Sequence, residues 1–272
     1  MTRLRRRRMR RRRRMLLLVA VIVALGAGAF FLRRPNFIAE RLSAPTPPPL
    51  TGAWDRTAVT REVTLAEEVW YAIQTGVFSA PEAAEDKADD YAERGAPGTV
   101  VQQEGKWRVF IACYGREEDA QAVRTRLGEM QRVETYLYRW SCPQLRLRLS
   151  GMAGQLDAVE AGLTLLMGAA ARLRDTATLL DAAQLTAQEA AGVISDLNGQ
   201  IALWSQTARD RFGASPPPLV EQLLAIAADW PLHSRALQDA AASAVTLSAE
   251  MKGQGMRLYA DMIRLRETLN AQ

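Results

Sequence analysis

Three short β-rich stretches carry aromatic, amide and guanidinium side chains at alternating positions. These side chains are Trp70 and Gln74 in residues 69–78, Arg108 and Phe110 in residues 106–114, and Tyr138 and Trp140 in residues 133–140. Because alternate residues of a strand point the same way, each pair falls on one face of its strand. Aromatic rings stack on apolar ring faces, and amide and guanidinium groups bond to polar edges. The pattern therefore predicts a binding face for a polymer of rings, either sugars or nucleobases.

The residues needed for catalysis are missing from the sequence. The chain has one histidine, His233, so a histidine-based zinc hydrolase site is unsupported. It contains no H-E-x-x-H, G-x-S-x-G or P-loop motif. The carboxylate pairs Asp89–Asp90 and Glu117–Glu118 lie on amphipathic segments and are interpreted as solvated helix faces. We expect a binding protein rather than an enzyme, with no metal and no cofactor.

A repeated strand-then-helix pattern positions the candidate residues. The strand at 69–78 precedes a helix that Ser79 and Glu82 would open as a capping box. A hairpin turning at Glu104–Gly105, a helix over 116–130 and a strand over 133–140 complete a βαββαβ unit. Its two halves superpose at an offset of 36 residues. The predicted fold class is α+β, a ferredoxin-like four-stranded antiparallel sheet with both helices on one face.

Alternation divides the residues of this sheet between its two faces. Tyr71, Ile73, Val109 and Ile111 are expected against the helices, and the six candidate binding residues on the other face. The expected strand order is fourth, first, third, second. The candidate face is predicted to be open, because so many exposed rings call for a partner. The alternative is that the C-terminal segment of the same chain covers it.

The two halves resemble the SPOR domain family. The resemblance rests on "WYAIQTGVFSAPEAA" and "KWRVFIACYGREEDA" and extends over roughly residues 66–142. It implies binding of peptidoglycan, with a preference for glycan strands stripped of stem peptides, as found at division septa. It places Gln74 and Arg108 at the sheet-face glutamine and arginine that the family uses near glycan. In this chain, Trp70, Phe110, Tyr138 and Trp140 would supply the stacking surface.

The chain departs from the family pattern at several positions. Val77 stands where a serine is common, and Lys106 stands where some members have an aromatic residue, which here has moved to Trp107. Ala112 and Cys113 replace the usual Gly-Pro. A disulfide between Cys113 and Cys142 is not favoured, because the first strand separates the strands that carry them.

The N-terminus predicts a membrane anchor. Residues 1–14 hold ten arginines, and without them the chain has 25 basic and 30 acidic residues, a net charge of −5. The uncharged run at 15–32 would span roughly 27 Å as a helix, about one bilayer core. The arginines should stay cytoplasmic, which places the rest outside the cell membrane. The competing interpretation is a cleaved signal peptide with an A-x-A-like site at residues 27–29.

The remaining segments complete the predicted organisation. The ranges are an Arg-rich cytoplasmic tail (1–14), a transmembrane signal anchor (15–32), a Pro-rich linker (33–62), a SPOR-like domain (63–142), a connector (143–152) that could form a short extra strand, and an all-α region of three or four antiparallel helices (153–272). The helical region would form a plain bundle, self-associate or engage a protein partner.

Three function classes follow. The leading one is a single-pass membrane protein that binds peptidoglycan glycan strands in cell division or envelope organisation. A second is a membrane-tethered interaction scaffold or a regulator of a cell-wall hydrolase. A third is a cytoplasmic RNA binder, which the predicted topology and the missing RNP1-like run disfavour, so no nucleic acid partner is expected.

Overall fold

A computed structural model of the chain describes residues 58–271 and confirms the α+β class, with a β-rich region followed by a helical one. In chain order the elements are β1 (Ala58–Leu65), β2 (Glu68–Phe78), α1 (Pro81–Ala92), β3 (Thr99–Gln103), β4 (Lys106–Tyr114), α2 (Glu117–Gln131), β5 (Tyr136–Cys142), β6 (Leu145–Met152), α3 (Ala153–Asp181), α4 (Ala187–Phe212), α5 (Pro218–Ala228), α6 (Trp230–Ala240) and α7 (Ala244–Asn270).

Strands β2 to β5 form the predicted antiparallel sheet, in the order β3-β4-β2-β5. Helices α1 and α2 pack on one face of it, where Ile73 and Ile111 of the sheet meet Tyr91 of α1 and Leu127 of α2. The strand order and this face assignment agree with the sequence prediction, because both follow from the two-residue period of a strand and the doubled βαβ pattern.

A second sheet, formed by β1 and β6, was not predicted. The two strands pair antiparallel over their whole length, from Ala58 opposite Met152 to Leu65 opposite Leu145. The four-stranded sheet is therefore confirmed, but the prediction that it is the single sheet is wrong. Strand β1 takes up residues 58–62 of the predicted linker, and the connector at 143–152 is mostly strand. The apolar side of this ribbon, with Val63 and Leu145 buried, packs toward the helical region, which explains the alternation in both strands.

The helical region has five helices in its described part, where three or four were expected. The two predicted apolar stripes are buried, on α3 from Leu156 to Leu173 and on α4 from Ala190 to Ala208. The number is higher because two proline-containing stretches each start a helix of their own. Pro218 starts α5 and Trp230–Pro231 starts α6, with only Asp229 between these two helices.

Helix α7 lies between the sheet and α3, with every residue from Met251 to Met256 buried. Two glycines allow this close packing on both sides. A Cβ added at Gly253 would lie 3.3 Å from Pro97, just before β3, and one at Gly255 would lie 3.2 Å from the carbonyl oxygen of Ala170 on α3.

The predicted tail at 1–14, the transmembrane segment at 15–32 and most of the linker lie outside the described residues. Within residues 58–271, no helix is both long and apolar enough to cross a membrane.

Candidate glycan-binding face

The sheet face opposite α1 and α2 carries the predicted binding residues, as the alternation indicated. Trp70, Phe110 and Trp140 all belong to the apolar cluster that includes α3 and α7, and they are separate from the cluster beneath α1 and α2. The sequence therefore assigned these side chains to the correct face of the sheet.

The prediction that this face is open is wrong, because α7 lies across it. The relative exposures of Trp70, Phe110 and Trp140 are 0%, 0% and 1%. These rings form part of the protein core. The alternative stated above therefore holds: the C-terminal segment of the same chain covers this face. The physical reason is that the apolar stripe of α7 and the aromatic sheet face bury each other, removing both from water.

Tyr259 of α7 is the centre of this contact. Its ring stacks on Trp70 with 3.9 Å between ring centroids and 5° between planes, and it meets Trp140 edge-on at 5.0 Å. Its hydroxyl accepts a hydrogen bond from the backbone N–H of Cys142 at 3.1 Å. The same hydroxyl donates to two carbonyl oxygens, that of Glu68 at 2.7 Å and that of Trp140 at 3.0 Å, which share its hydrogen. Burial raises the pKa of this hydroxyl, so it remains a donor at neutral pH.

Arg174 of α3 covers the other side of Trp70. Its guanidinium carbon lies 4.4 Å from the centroid of the Trp70 ring, a cation–π contact. The indole N–H of Trp70 donates to the Glu68 carboxylate at 2.8 Å, and that carboxylate lies 3.9 Å from Arg174. Trp70 is therefore held by α3, by α7 and by its own strand.

The two polar residues of the predicted site, Gln74 and Arg108, lie together at the edge of the area that α7 covers. Arg108 donates to the side-chain oxygen of Gln74 at 3.0 Å and pairs with Glu104 at 3.2 Å. Its guanidinium carbon lies 4.5 Å from the ring centroid of Tyr138, whose hydroxyl donates to Gln103 at 2.9 Å. The Arg108 side chain is 15% exposed and Tyr138 is half-buried. Burial raises the pKa of Tyr138, so its hydroxyl is neutral at physiological pH.

A groove of about 390 Å³ opens beside this polar cluster, between the β3–β4 hairpin and the C-terminal half of α7. Its size falls within the usual range for small-molecule sites. Its lining residues from the sheet are Val101, Gln102, Gln103, Glu104, Gly105 and Trp140, and those from α7 are Ala260, Ile263, Arg264 and Glu267. The groove is the place where the covered face meets solvent.

The structure also locates the positions that depart from the family pattern. Val77 is 44% exposed and Lys106 is exposed. Trp107 packs with Ala84 and Val109 beneath α1, on the opposite face of the sheet. It does not replace the missing aromatic residue on the candidate face.

Tyr259, Gln103 and Glu104 contribute to this face but were not identified from the sequence. Gln103 is on the candidate face by alternation, since it is paired with Lys106 in the hairpin. Tyr259 sits within the apolar stripe of α7, and no sequence pattern pairs it with the sheet.

Cys113 and Cys142 are both free and fully buried on this face. Burial raises the pKa of each thiol to about 12, so both are protonated and unreactive at neutral pH. In the part of the chain that the structure describes, no three side chains of His, Cys, Asp or Glu come close enough to hold a metal ion.

Comparison with known proteins bears out the resemblance. Residues 70–139, about a quarter of the chain, match the model of the SPOR domain family. Neither the curated proteins nor the solved structures contain a match to this chain. The matched residues contain β3, β4, α1 and α2, the larger part of β2 and β5, and all but the last of the predicted site residues. SPOR domains are peptidoglycan-binding domains associated with cell division, and their role is binding rather than catalysis. The region from residue 70 to residue 139 is therefore similar to SPOR domains.

Proposed function

We propose that this protein is anchored in the cell membrane and binds peptidoglycan outside it, preferring glycan strands stripped of stem peptides, during cell division or envelope organisation. The observation that carries this proposal is the SPOR match over residues 70–139, with the Gln74–Arg108 pair at the rim of the candidate face. The N-terminal arginine block and the apolar run at 15–32 support the anchored topology.

The rim cluster offers the chemistry that a glycan strand requires. Tyr138 presents part of an aromatic ring, against which the apolar face of a sugar stacks. Gln74 is buried, with 7% of its surface exposed, and accepts from Arg108 through its oxygen, so its amide N–H groups would donate only to a sugar hydroxyl that reaches the rim. Glu104 accepts from hydroxyls in turn and balances the charge of Arg108. A hydrogen-bonding site of this kind, whose cation is already paired with Glu104, suits a polymer of sugar rings better than the phosphate backbone of a nucleic acid.

Pelleting with purified sacculi tests this assignment. The full chain in mild detergent would be compared with the double variant Gln74→Ala, Arg108→Ala. A matched control, Gln121→Ala with Arg124→Ala, removes the same two residue types from α2 on the opposite side of the sheet. Because hydrogen bonds to charged groups are worth about 1.5–3 kcal/mol, we expect the site variant to bind at least about tenfold more weakly. Equal pelleting of the site variant, the control and the unmodified chain would place the glycan site elsewhere.

The burial of three of the four candidate rings favours a second function. In this alternative the SPOR domain is a structural half of a larger α+β unit, and the chain acts as a membrane-tethered scaffold or a regulator of a wall hydrolase without holding glycan itself. This second function would be supported if neither the unmodified chain nor any of the variants pelleted with the sacculi. The helical region would then supply the contact with a protein partner or with a second copy of the chain.

A further inference from the structure

Some polar atoms buried on the candidate face and on α7, which covers it, have no hydrogen-bond partner in the described part of the chain. The side-chain oxygen of Thr99 and the Nε of Arg108 on the sheet, and the side-chain oxygen of Gln254 on α7, are buried without a hydrogen-bond partner among the described residues. Thr99 faces α7 directly, since a Cβ at Gly253 would lie 3.6 Å from its hydroxyl. Buried polar groups in stable interiors are nearly always paired, so Thr99 and Gln254 leave part of the packing between α7 and the sheet without its hydrogen bonds.

Helix α7 is bound to α3 by buried polar contacts as well as by packing. Lys252 forms an ion pair with Asp181 at the end of α3, and Ser248 donates to the same carboxylate at 2.5 Å. All three residues are buried. Close packing at Gly255 against α3 adds to this attachment. A separation of α7 from α3 would leave charges unpaired, so α7 moves with α3 if the interface with the sheet opens.

The SPOR sheet is joined to the rest of the described chain through two short connections. Residues 66–67 link β1 to β2, and residues 143–144 link β5 to β6. Arg266 of α7 holds both, donating to the carbonyl oxygens of Ala66 at 2.9 Å and Pro143 at 3.0 Å. Asn270 donates to the carbonyl of Gln144 at 3.0 Å. The paired connections are fixed at the end of α7, so a movement of the sheet away from the rest of α7 would turn about them.

We propose that α7 is a removable cover on the glycan face, and that a stripped glycan strand competes with Tyr259 for Trp70, Phe110 and Trp140. This inference rests on the proposed function. The strand first binds at the groove beside Gln103 and Glu104, where the face is already accessible. Sugar rings then replace the ring of Tyr259, which stacks flat on Trp70 as a sugar would, and sugar hydroxyls satisfy the unpaired polar atoms.

The two native cysteines report directly on the position of α7. They are the only cysteines of the chain, and both lie buried on the covered face. The full chain in mild detergent would be treated with N-ethylmaleimide, with and without glycan strands released from sacculi by an amidase. Far-UV circular dichroism would be recorded in parallel, to separate local opening from unfolding. The variant Tyr259→Phe weakens the cover, and Tyr136→Phe, on an exposed tyrosine, is its matched control.

The expected result is faster labelling of both thiols when stripped glycan is added, with unchanged circular dichroism. Tyr259→Phe should also bind the glycan about tenfold more tightly than the unmodified chain, because displacing α7 from the sheet then takes less of the binding free energy. Glycan binding without any change in labelling, and with equal affinity for Tyr259→Phe and the unmodified chain, would overturn the cover and leave the proposed function intact. Failure of the unmodified chain and both variants to bind would overturn the proposed function, and the cover with it.

Discussion

Removal of the Tyr259 hydroxyl should destabilise the protein more than its small size suggests. The variant Tyr259→Phe keeps the ring that stacks on Trp70 but leaves the Cys142 N–H and the carbonyl oxygens of Glu68 and Trp140 without this partner. Each net hydrogen bond is worth about 0.5–1.5 kcal/mol, and a buried group left unpaired costs about 1–3 kcal/mol. We therefore expect the free energy of unfolding to fall by about 2 kcal/mol.

Urea unfolding of the full chain, followed by tryptophan fluorescence, measures this loss. The midpoint should fall by roughly 1 M with an unchanged dependence on urea, because the surface exposed on unfolding stays the same. Tyr136→Phe is the matched control, since Tyr136 is 54% exposed and its hydroxyl donates only to the exposed Glu134. Its effect should stay within about 0.5 kcal/mol. Equal effects of the two substitutions would refute the role assigned to the buried hydroxyl.

Three further substitutions or conditions have defined outcomes in the same unfolding assay. Gly98→Ala should cost about 3 kcal/mol or more, because this residue has φ +48° and its added Cβ would lie 2.2 Å from the Ala88 carbonyl oxygen. Lys252→Met should cost about 3–5 kcal/mol, because it leaves the buried Asp181 carboxylate without its cation. Above pH 9 the stability should fall as pH rises toward 12, by about 1.4 kcal/mol per pH unit for each buried thiol, since the folded state keeps protons that the unfolded state releases.

Each of these predictions has its own control. Gly95→Ala changes a glycine with φ +85° that has open space around its Cβ, so it reports backbone strain alone and should cost about 1–2 kcal/mol. Adding Asp181→Leu to Lys252→Met should recover most of the loss, because no buried charge remains. Replacing both cysteines with alanine should remove the decline between pH 9 and 10 and make it less steep above pH 10, where buried tyrosines with a raised pKa, Tyr114 and Tyr259, still contribute. Equal losses of stability for Gly98→Ala and Gly95→Ala would contradict the steric clash at Gly98. A double variant no more stable than Lys252→Met would contradict the cost of the unpaired Asp181 carboxylate. An unchanged alkaline slope would contradict the role of the buried thiols.

Local patterns in the sequence predicted most of the SPOR region. The alternation of apolar residues in β2, β4 and β5 specified both faces of the sheet, and the doubled unit specified its strand order. Capping signals were less dependable. Thr186 and Glu189 form the predicted capping box at the start of α4. The box predicted at Ser79 is absent, because α1 begins at Pro81 with Ala80 as its N-cap.

Long-range packing could not be read from these patterns. An apolar stripe shows that α7 buries one side, but it does not name the surface that buries it. Tyr259 bonds to the carbonyl of Glu68 across 191 residues of sequence, and no periodicity links the two. For the same reason β1 was missed, since its partner β6 lies beyond the whole SPOR domain. Contacts of this kind cover the face that the sequence predicted to be open.

Binding of the unmodified full chain to intact and to amidase-stripped sacculi tests the central claim most directly. We expect the protein to pellet with both and the bound fraction to rise on stripped glycan, where more strand is accessible. No pelleting above a wall-free control on either material would contradict it, and the chain would then act as a scaffold whose SPOR domain is permanently closed by α7.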